Sequence, residues 1–136
     1  MVIEKAALLV LNKRRSKFLT CKPNKSNKQY IMPGGKMKEG ESDVQCIIRE
    51  IKEELVCDVI PGSLTCLGIY SGPTASEPER IVRMRVYTGE IKGTPKASSE
   101  ILSLHWVGKG DQVNDKVSLF IRQVLMPDLI LHGIIQ

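Results

Sequence analysis

Apolar residues along this chain fall into runs of two periods, and the runs predict the elements. Residues 2–11 (VIEKAALLVL) end in a nearly continuous apolar stretch, which at that length predicts a buried strand. A polar turn at 12–15 leads to SKFLTC at 16–21, a second strand expected to complete a hairpin with the first. Residues 29–32 predict a short strand running into Pro33-Gly34-Gly35, a sequence that permits a tight turn with close backbone approach. The period then lengthens: Val44, Ile47, Ile48, Ile51 and Leu55 fall on one helical stripe. Ser42 with Gln45 three places later forms a capping box at the helix start. Strands follow at 64–70, 80–91 and 101–107, separated by loops at 71–79 and 93–99. Within 80–91 the alternation puts Val82, Met84 and Val86 on one side and Ile81, Arg83, Arg85 and Tyr87 on the other. A second helix is predicted at 115–126, with Val117, Phe120, Ile121, Val124 and Leu125 on its apolar face and Pro127 stopping it. The apolar tail at 128–136 is expected to pack back on the domain.

Strands outnumber helices and a helix interrupts them early, which predicts a layered α/β (α+β) domain. A chain of 136 residues is long enough for one domain with a real core, spanning 1–136, and too short for two comfortable ones. A content of 42% hydrophobic and 26% charged residues reads as globular. The four cysteines, Cys21, Cys46, Cys57 and Cys66, have neither CxxC spacing nor a nearby histidine, so free thiols in a reducing cytoplasm are the expectation. Neither a signal peptide nor a membrane span is visible.

Charge adds the chemistry. Glu50 and Glu54 lie four apart and Glu53 three from Glu50, so the helix carries three carboxylates on one side. Each such like-charge pair costs ~0.2–0.5 kcal/mol. A divalent cation such as Mg²⁺ would reverse that, since hard oxygen ligands suit it. The plain alternative is a solvated acidic face supported by Arg49 and Lys52. The net charge of +5 suits an anionic substrate and, less specifically, nucleic acid. Seven basic residues, Lys17 among them, and no acidic one stand between Lys13 and Lys28. They read either as a cationic lip for phosphates or as a solvated loop. The Arg83 and Arg85 side of its strand reads either as a phosphate-binding wall or as a solvent face.

The segment 34–59, GGKMKEGESDVQCIIREIKEELVCDV, resembles a Nudix box: G, five residues, E, seven residues, then R-E-U-x-E-E-x-G-U, with U a bulky aliphatic. Gly35, Glu41, Arg49, Glu50, Ile51, Glu53 and Glu54 match it, while Val56 replaces the last glycine and Cys57 the last aliphatic. Valine in the left-handed conformation that the glycine adopts would cost roughly 1–2 kcal/mol, so the helix is expected to end by another route, near Cys57-Asp58. The resemblance implies the Nudix fold, a mixed sheet sandwiched between helices. It also implies hydrolysis of a nucleoside diphosphate linked to another group, with Mg²⁺ or Mn²⁺. By that resemblance Glu50 and Glu54 are ligands, with Glu53 and the Gly34 carbonyl in support. Glu100, ahead of a strand bearing Trp106, resembles the carboxylate that a later loop brings to the metal. Glu50 is the first choice for activating water and Glu100 the reserve. Arg49 is expected to orient a box glutamate, and Glu41 to hold the turn or the outer metal shell.

The layout resembles MutT-like nucleoside triphosphate pyrophosphohydrolases. Pro73, sixteen residues after Cys57, resembles a feature of ADP-ribose pyrophosphatases. Tyr30 and Phe18 are the candidates for stacking on a base. The competing class is a non-catalytic Nudix module that binds nucleotide or RNA, for which the basic segment would serve. Oligomeric state is not read from the sequence.

Overall fold

The computed structural model describes residues 2–24, 29–75, 77 and 79–136. Its centre is a mixed four-stranded sheet in the order β3-β1-β6-β5: β3 is Gly34–Lys36, β1 Val2–Leu9, β6 Ile81–Thr88 and β5 Thr65–Pro73. β1 runs parallel to β6 and antiparallel to β3, and β5 runs antiparallel to β6. Two small ribbons flank it, β2 (Lys17–Pro23) with β8 (Ile101–Gly108) and β4 (Asp58–Val59) with β7 (Ile91–Lys92).

The continuous apolar run of β1 is explained by burial on both faces. Ala6, Leu8 and Val10 join Leu19 in the cluster built under helix α1 (Asp43–Leu55). Ala7 and Leu9 face the opposite way, into a second cluster with Val82, Met84, Val86, Phe120, Ile121 and Leu125. The sheet is thus sandwiched between α1 and the C-terminal helix. Ile47, Ile51 and Leu55 of α1 are fully buried, each contributing roughly 1.5–3 kcal/mol. Ile48 lies off the stripe at 38% exposure, and Cys46 takes its place in the interface. The Ser42–Gln45 capping box is formed, with bonds of 3.1 and 2.9 Å.

Several predicted elements take another form. The β1–β2 hairpin exists only at its tip, where Leu19 N–H meets the Val10 carbonyl and Leu11 bridges Phe18; beyond it the strands part into different sheets. Residues 29–32 contribute only isolated bridges, while Gly34 and Gly35 lie in an edge strand rather than a turn. β5 extends through Pro73 into the expected loop, and the strand predicted at 80–91 breaks after Thr88, with Ile91 and Lys92 pairing elsewhere. Residues 115–118 precede the second helix instead of opening it. That helix has a π-helical stretch, Phe120–Leu125, and continues past Pro127 as α2, Met126–Leu131. The wider turn, with Met126 N–H on the Ile121 carbonyl, relieves the missing donor and ring clash that proline brings to an α-helix. Leu129 and Ile135 of the tail are buried, so the tail does pack back.

Val56 is the larger surprise. It caps α1 in the left-handed conformation, φ 55° and ψ 39°, with its N–H on the Lys52 carbonyl. The helix therefore ends by the glycine's own route despite the side chain. Two other helix-end carbonyls are claimed by the loop after β7: Lys96 N–H bonds to Leu55 at 2.9 Å and Ser98 N–H to Glu54 at 3.0 Å. These bonds and the burial of Cys57 hold the strained residue in place.

Among the described residues no helix is long and apolar enough to cross a membrane. The four cysteines are free, and all but Cys66 are buried.

Candidate functional site

The site forms where α1 lies against the edge strand β3. Register places Gly34 opposite Ala7 and Gly35 opposite Ala6. Gly34 has φ +146°, and a Cβ there would sit 2.2 Å from the Ala6 carbonyl oxygen. Only glycine lets β3 come this close to β1. Gly34 falls at a non-hydrogen-bonded pair, so its N–H and carbonyl point away from β1. The N–H donates to Glu54 Oε1 at 2.9 Å.

Glu54 is half-buried, and its loss of solvent pushes its carboxyl up to about 8. The Gly34 N–H and the Lys5 charge oppose that shift; the charges of Glu50 and Glu53 add to it. Glu50 is held differently. Arg49 Nη1 donates to Glu50 Oε1 at 2.6 Å and stands 3.8 Å from Glu53, whose side chain is 52% exposed. The other arm of the guanidinium meets Glu41 in a fork, Nε to Oε2 at 2.7 Å and Nη2 to Oε1 at 2.9 Å. Its Nη2 also reaches the Lys36 carbonyl at 3.2 Å. Glu41 in turn accepts from Lys38 N–H, and its carboxyl is drawn down to about 2, chiefly by Arg49. One guanidinium thereby ties the glycine strand, the loop before α1 and a helix carboxylate together.

Among the described residues, no three His, Cys, Asp or Glu side chains converge as a finished metal cage. Arg49 occupies one oxygen of Glu50 and Gly34 one oxygen of Glu54, while Glu53 leans into solvent. The donor set nevertheless fits a hard divalent ion: clustered carboxylates, one of them half-buried and raised in pKa, beside an outward-facing carbonyl.

Glu100 stands exposed at the turn before β8, two residues past the Ser98 that docks on the Glu54 carbonyl; its own carbonyl accepts from Asn24 N–H at 2.8 Å. The loop therefore reaches the last turn of α1, as the carboxylates do.

On the sheet face opposite α1 a narrow cleft adjoins the two glycines. Lys5, Met32, Pro73, Val82, Met84 and Phe120 line it, with Ser118 and Thr74 as its hydroxyls. Arg83 and Arg85 do not line it, because the alternation that buries Val82 and Met84 sends them to the α1 face. There Glu4 pairs with both, at 2.9 and 2.5 Å, and Arg85 lies 3.3 Å from Asp43. Lys17 sits beyond the far end of β1, beside Asn12 and Gly108. Lys25 and Lys28 of the same basic stretch lie outside the described residues. The Tyr30 ring stacks on His105, centroids 3.9 Å apart and 6° from parallel, while its neighbour Ile31 reaches the cleft. Phe18 is core. Lys5 was not singled out by sequence; the only signal was a charge next to Glu4 on β1, in phase with Ala7 and Leu9.

The sequence model of the NUDIX domain family matches residues 3–125. An ADP-ribose pyrophosphatase of Methanocaldococcus jannaschii is 30% identical over 100 residues, 73% of this chain and 53% of that one. The chain thus spans about half the length of the curated relative it matches. Among solved structures, the Escherichia coli ORF135 protein aligns with a TM-score of 0.74 at 20% identity, covering 97% of this chain and 91% of that one. The MutT protein from Methanosarcina mazei Go1 aligns at 0.71 with 23% identity, covering 89% and 88%. These two likenesses bear on the fold.

Proposed function

Because the chain belongs to the NUDIX domain family, we propose that it is a metal-dependent pyrophosphohydrolase cleaving a nucleoside diphosphate linked to another moiety, with a MutT-type (deoxy)nucleoside triphosphate as the first substrate class. The observation that carries this is the seating of Glu54: a half-buried carboxyl pushed up to about 8, aligned by the Gly34 N–H at 2.9 Å beside Glu50 and Glu53. A solvated acidic face would leave its carboxylates to water rather than seat one on a backbone N–H.

Glu50, Glu53, Glu54 and the Gly34 carbonyl would hold Mg²⁺ or Mn²⁺, with Glu100 brought in from its loop. Such an ion neutralises phosphate oxygens and polarises the bond to be cut. Glu50 takes the proton from the attacking water as the oxygen–phosphorus bond forms and the bridging phosphoanhydride bond breaks. Arg49 keeps Glu50 aimed, and Glu41 keeps Arg49 aimed. The cleft beyond Gly34, about 40 Å³ as it stands, would have to widen for the base to lie against its apolar walls.

A second reading within the same chemistry, ADP-ribose or a nucleotide sugar as substrate, is favoured by the relative from Methanocaldococcus jannaschii. The test is incubation with Mg²⁺ and a panel of nucleoside triphosphates, ADP-ribose and dinucleoside polyphosphates, followed by product separation. Turnover is expected in wild type and its abolition in Glu54→Gln with the fold intact. Absence of turnover on every member, with tight nucleotide or RNA binding, would leave the non-catalytic module instead.

A further inference from the structure

The ribbon of β2 and β8 is closed on its β2 side and open on its β8 side. Cys21 exchanges both of its backbone bonds with Ile31, at 2.9 and 2.8 Å, and Leu19 N–H reaches the Val10 carbonyl at 2.9 Å. Cys21 and Leu19 therefore turn their backbone groups away from β8. That makes Cys21–Leu104 and Leu19–Trp106 non-hydrogen-bonded pairs of the ladder, at which Leu104 and Trp106 also turn their N–H and carbonyl groups outward. Leu102 is in phase with them, beside the point where the register shifts at Lys22/Pro23. Among the described residues, no backbone bond outside the β2 ladder involves residues 102–107.

Proteins ordinarily blunt an open strand edge with charges or proline. Residues 101–107, ILSLHWV, hold no Lys, Arg, Asp, Glu or Pro. The side chains in phase with the outward groups are apolar: Leu102 is 57% exposed, Trp106 46%, and Leu104 is half-buried against the α1 cluster. The row is also self-complementary. In an antiparallel pairing centred on Leu104, Leu104 meets its own copy and Leu102 meets Trp106 on either side, aliphatic against aromatic. The new ladder stops there, because Asp111 already takes the Gly108 N–H at 2.9 Å. At each end Glu100 of one copy comes alongside Lys109 of the other, with Lys17 across Gly108. Those two cations outnumber the carboxylate of Asp111, so opposite charges meet at both ends. A two-stranded ribbon is marginal in water, and joining two of them makes one wider sheet.

We propose that β8 is a dimerisation edge whose occupant is β8 of a second copy of this chain, antiparallel about Leu104. Trp106 is the chain's single tryptophan and reports on the pairing directly. The test is sedimentation velocity with tryptophan emission, on dilution from micromolar to nanomolar protein. A dimer is expected, with emission moving to longer wavelength as dilution returns Trp106 to water. Hydrogen exchange should find the Leu104 and Trp106 amides protected in the dimer and fast in the dilute monomer. Leu102→Glu and Trp106→Lys, at exposed positions, should each raise the dimer dissociation constant about tenfold or more and leave the melting temperature of dilute protein unchanged. Ile69→Lys, on the outer strand β5 of the main sheet and 59% exposed, should dimerise as wild type does. A monomer at every concentration would overturn the proposal and leave the edge to a strand of some other protein. A dimer lost in Ile69→Lys but kept in Leu102→Glu and Trp106→Lys would overturn it in favour of β5.

Discussion

Gly35 lies directly beneath the carboxyl group of Glu50. A Cβ at residue 35 would stand 2.5 Å from the Glu50 carboxyl carbon and 2.7 Å from each oxygen. The obstacle is the far end of a flexible side chain, so an alanine there would displace Glu50 at little cost to the fold. Displacing a reacting group by about 1 Å can lower a rate by about 100-fold. Gly35→Ala is expected to lose turnover on that scale while its melting temperature changes little. Steady-state kinetics beside a thermal melt check this, and wild-type rates would remove Glu50 from its assigned place.

Glu54 makes stability depend on pH. Its folded carboxyl is pushed up to about 8 from an ordinary value of 4.5, chiefly through loss of solvent. The folded state therefore binds the proton more tightly than the unfolded chain. The associated stability is fully present below about pH 4.5 and is lost as pH rises through about 8. The loss is on the order of a few kcal/mol. Metal-free protein should melt progressively lower from pH 5 to pH 8, and Glu54→Gln should flatten that trend. Adding Mn²⁺ near pH 7 should release a proton from wild type and not from the variant, measurable by calorimetry in buffers of different ionisation enthalpy.

Arg49 joins Glu41 to Glu50 through a planar fork that lysine cannot reproduce. Arg49→Lys keeps the charge and loses the geometry. Turnover or metal affinity is expected to fall by roughly 10–100-fold, the range for partners that orient a ligand. Glu41→Gln should move the same parameter in the same direction. Rates unchanged in both variants would leave the guanidinium a purely structural clamp.

Val56 is half exposed and holds a left-handed conformation, φ 55°. That conformation costs a non-glycine residue roughly 1–2 kcal/mol, against about 0.5–1 kcal/mol of extra chain entropy lost by glycine. Val56→Gly should therefore stabilise the protein by up to about 1.5 kcal/mol, visible as a higher denaturation midpoint. Turnover should be unaffected. A lower midpoint would mean that the valine side chain contributes contacts outweighing its backbone strain.

Local periodicity made much of this protein legible in its sequence. The capping box, the buried stripe of α1 and its acidic side all follow from spacings within one helix, as the Val82–Met84–Val86 alternation follows from one strand. The matched carboxylates and Arg49 could be named before any fold was known. What stayed hidden depends on partners far apart in the chain. Two consecutive glycines suit a turn, and only the approach of β1 makes Gly34 and Gly35 an edge strand. A proline ordinarily ends an α-helix, and only a locally widened turn carries the chain past Pro127. Val56 argued for a different helix end until the loop at 96–98 claimed the last carbonyls. Sequence by itself determined which residues share a face of each element, because that is set by bond geometry over a few residues. Only the tertiary structure decided which faces meet: Lys5 against Lys36, Glu54 under Gly34, Arg83 and Arg85 away from the cleft. Register and burial there are settled by the whole core at once.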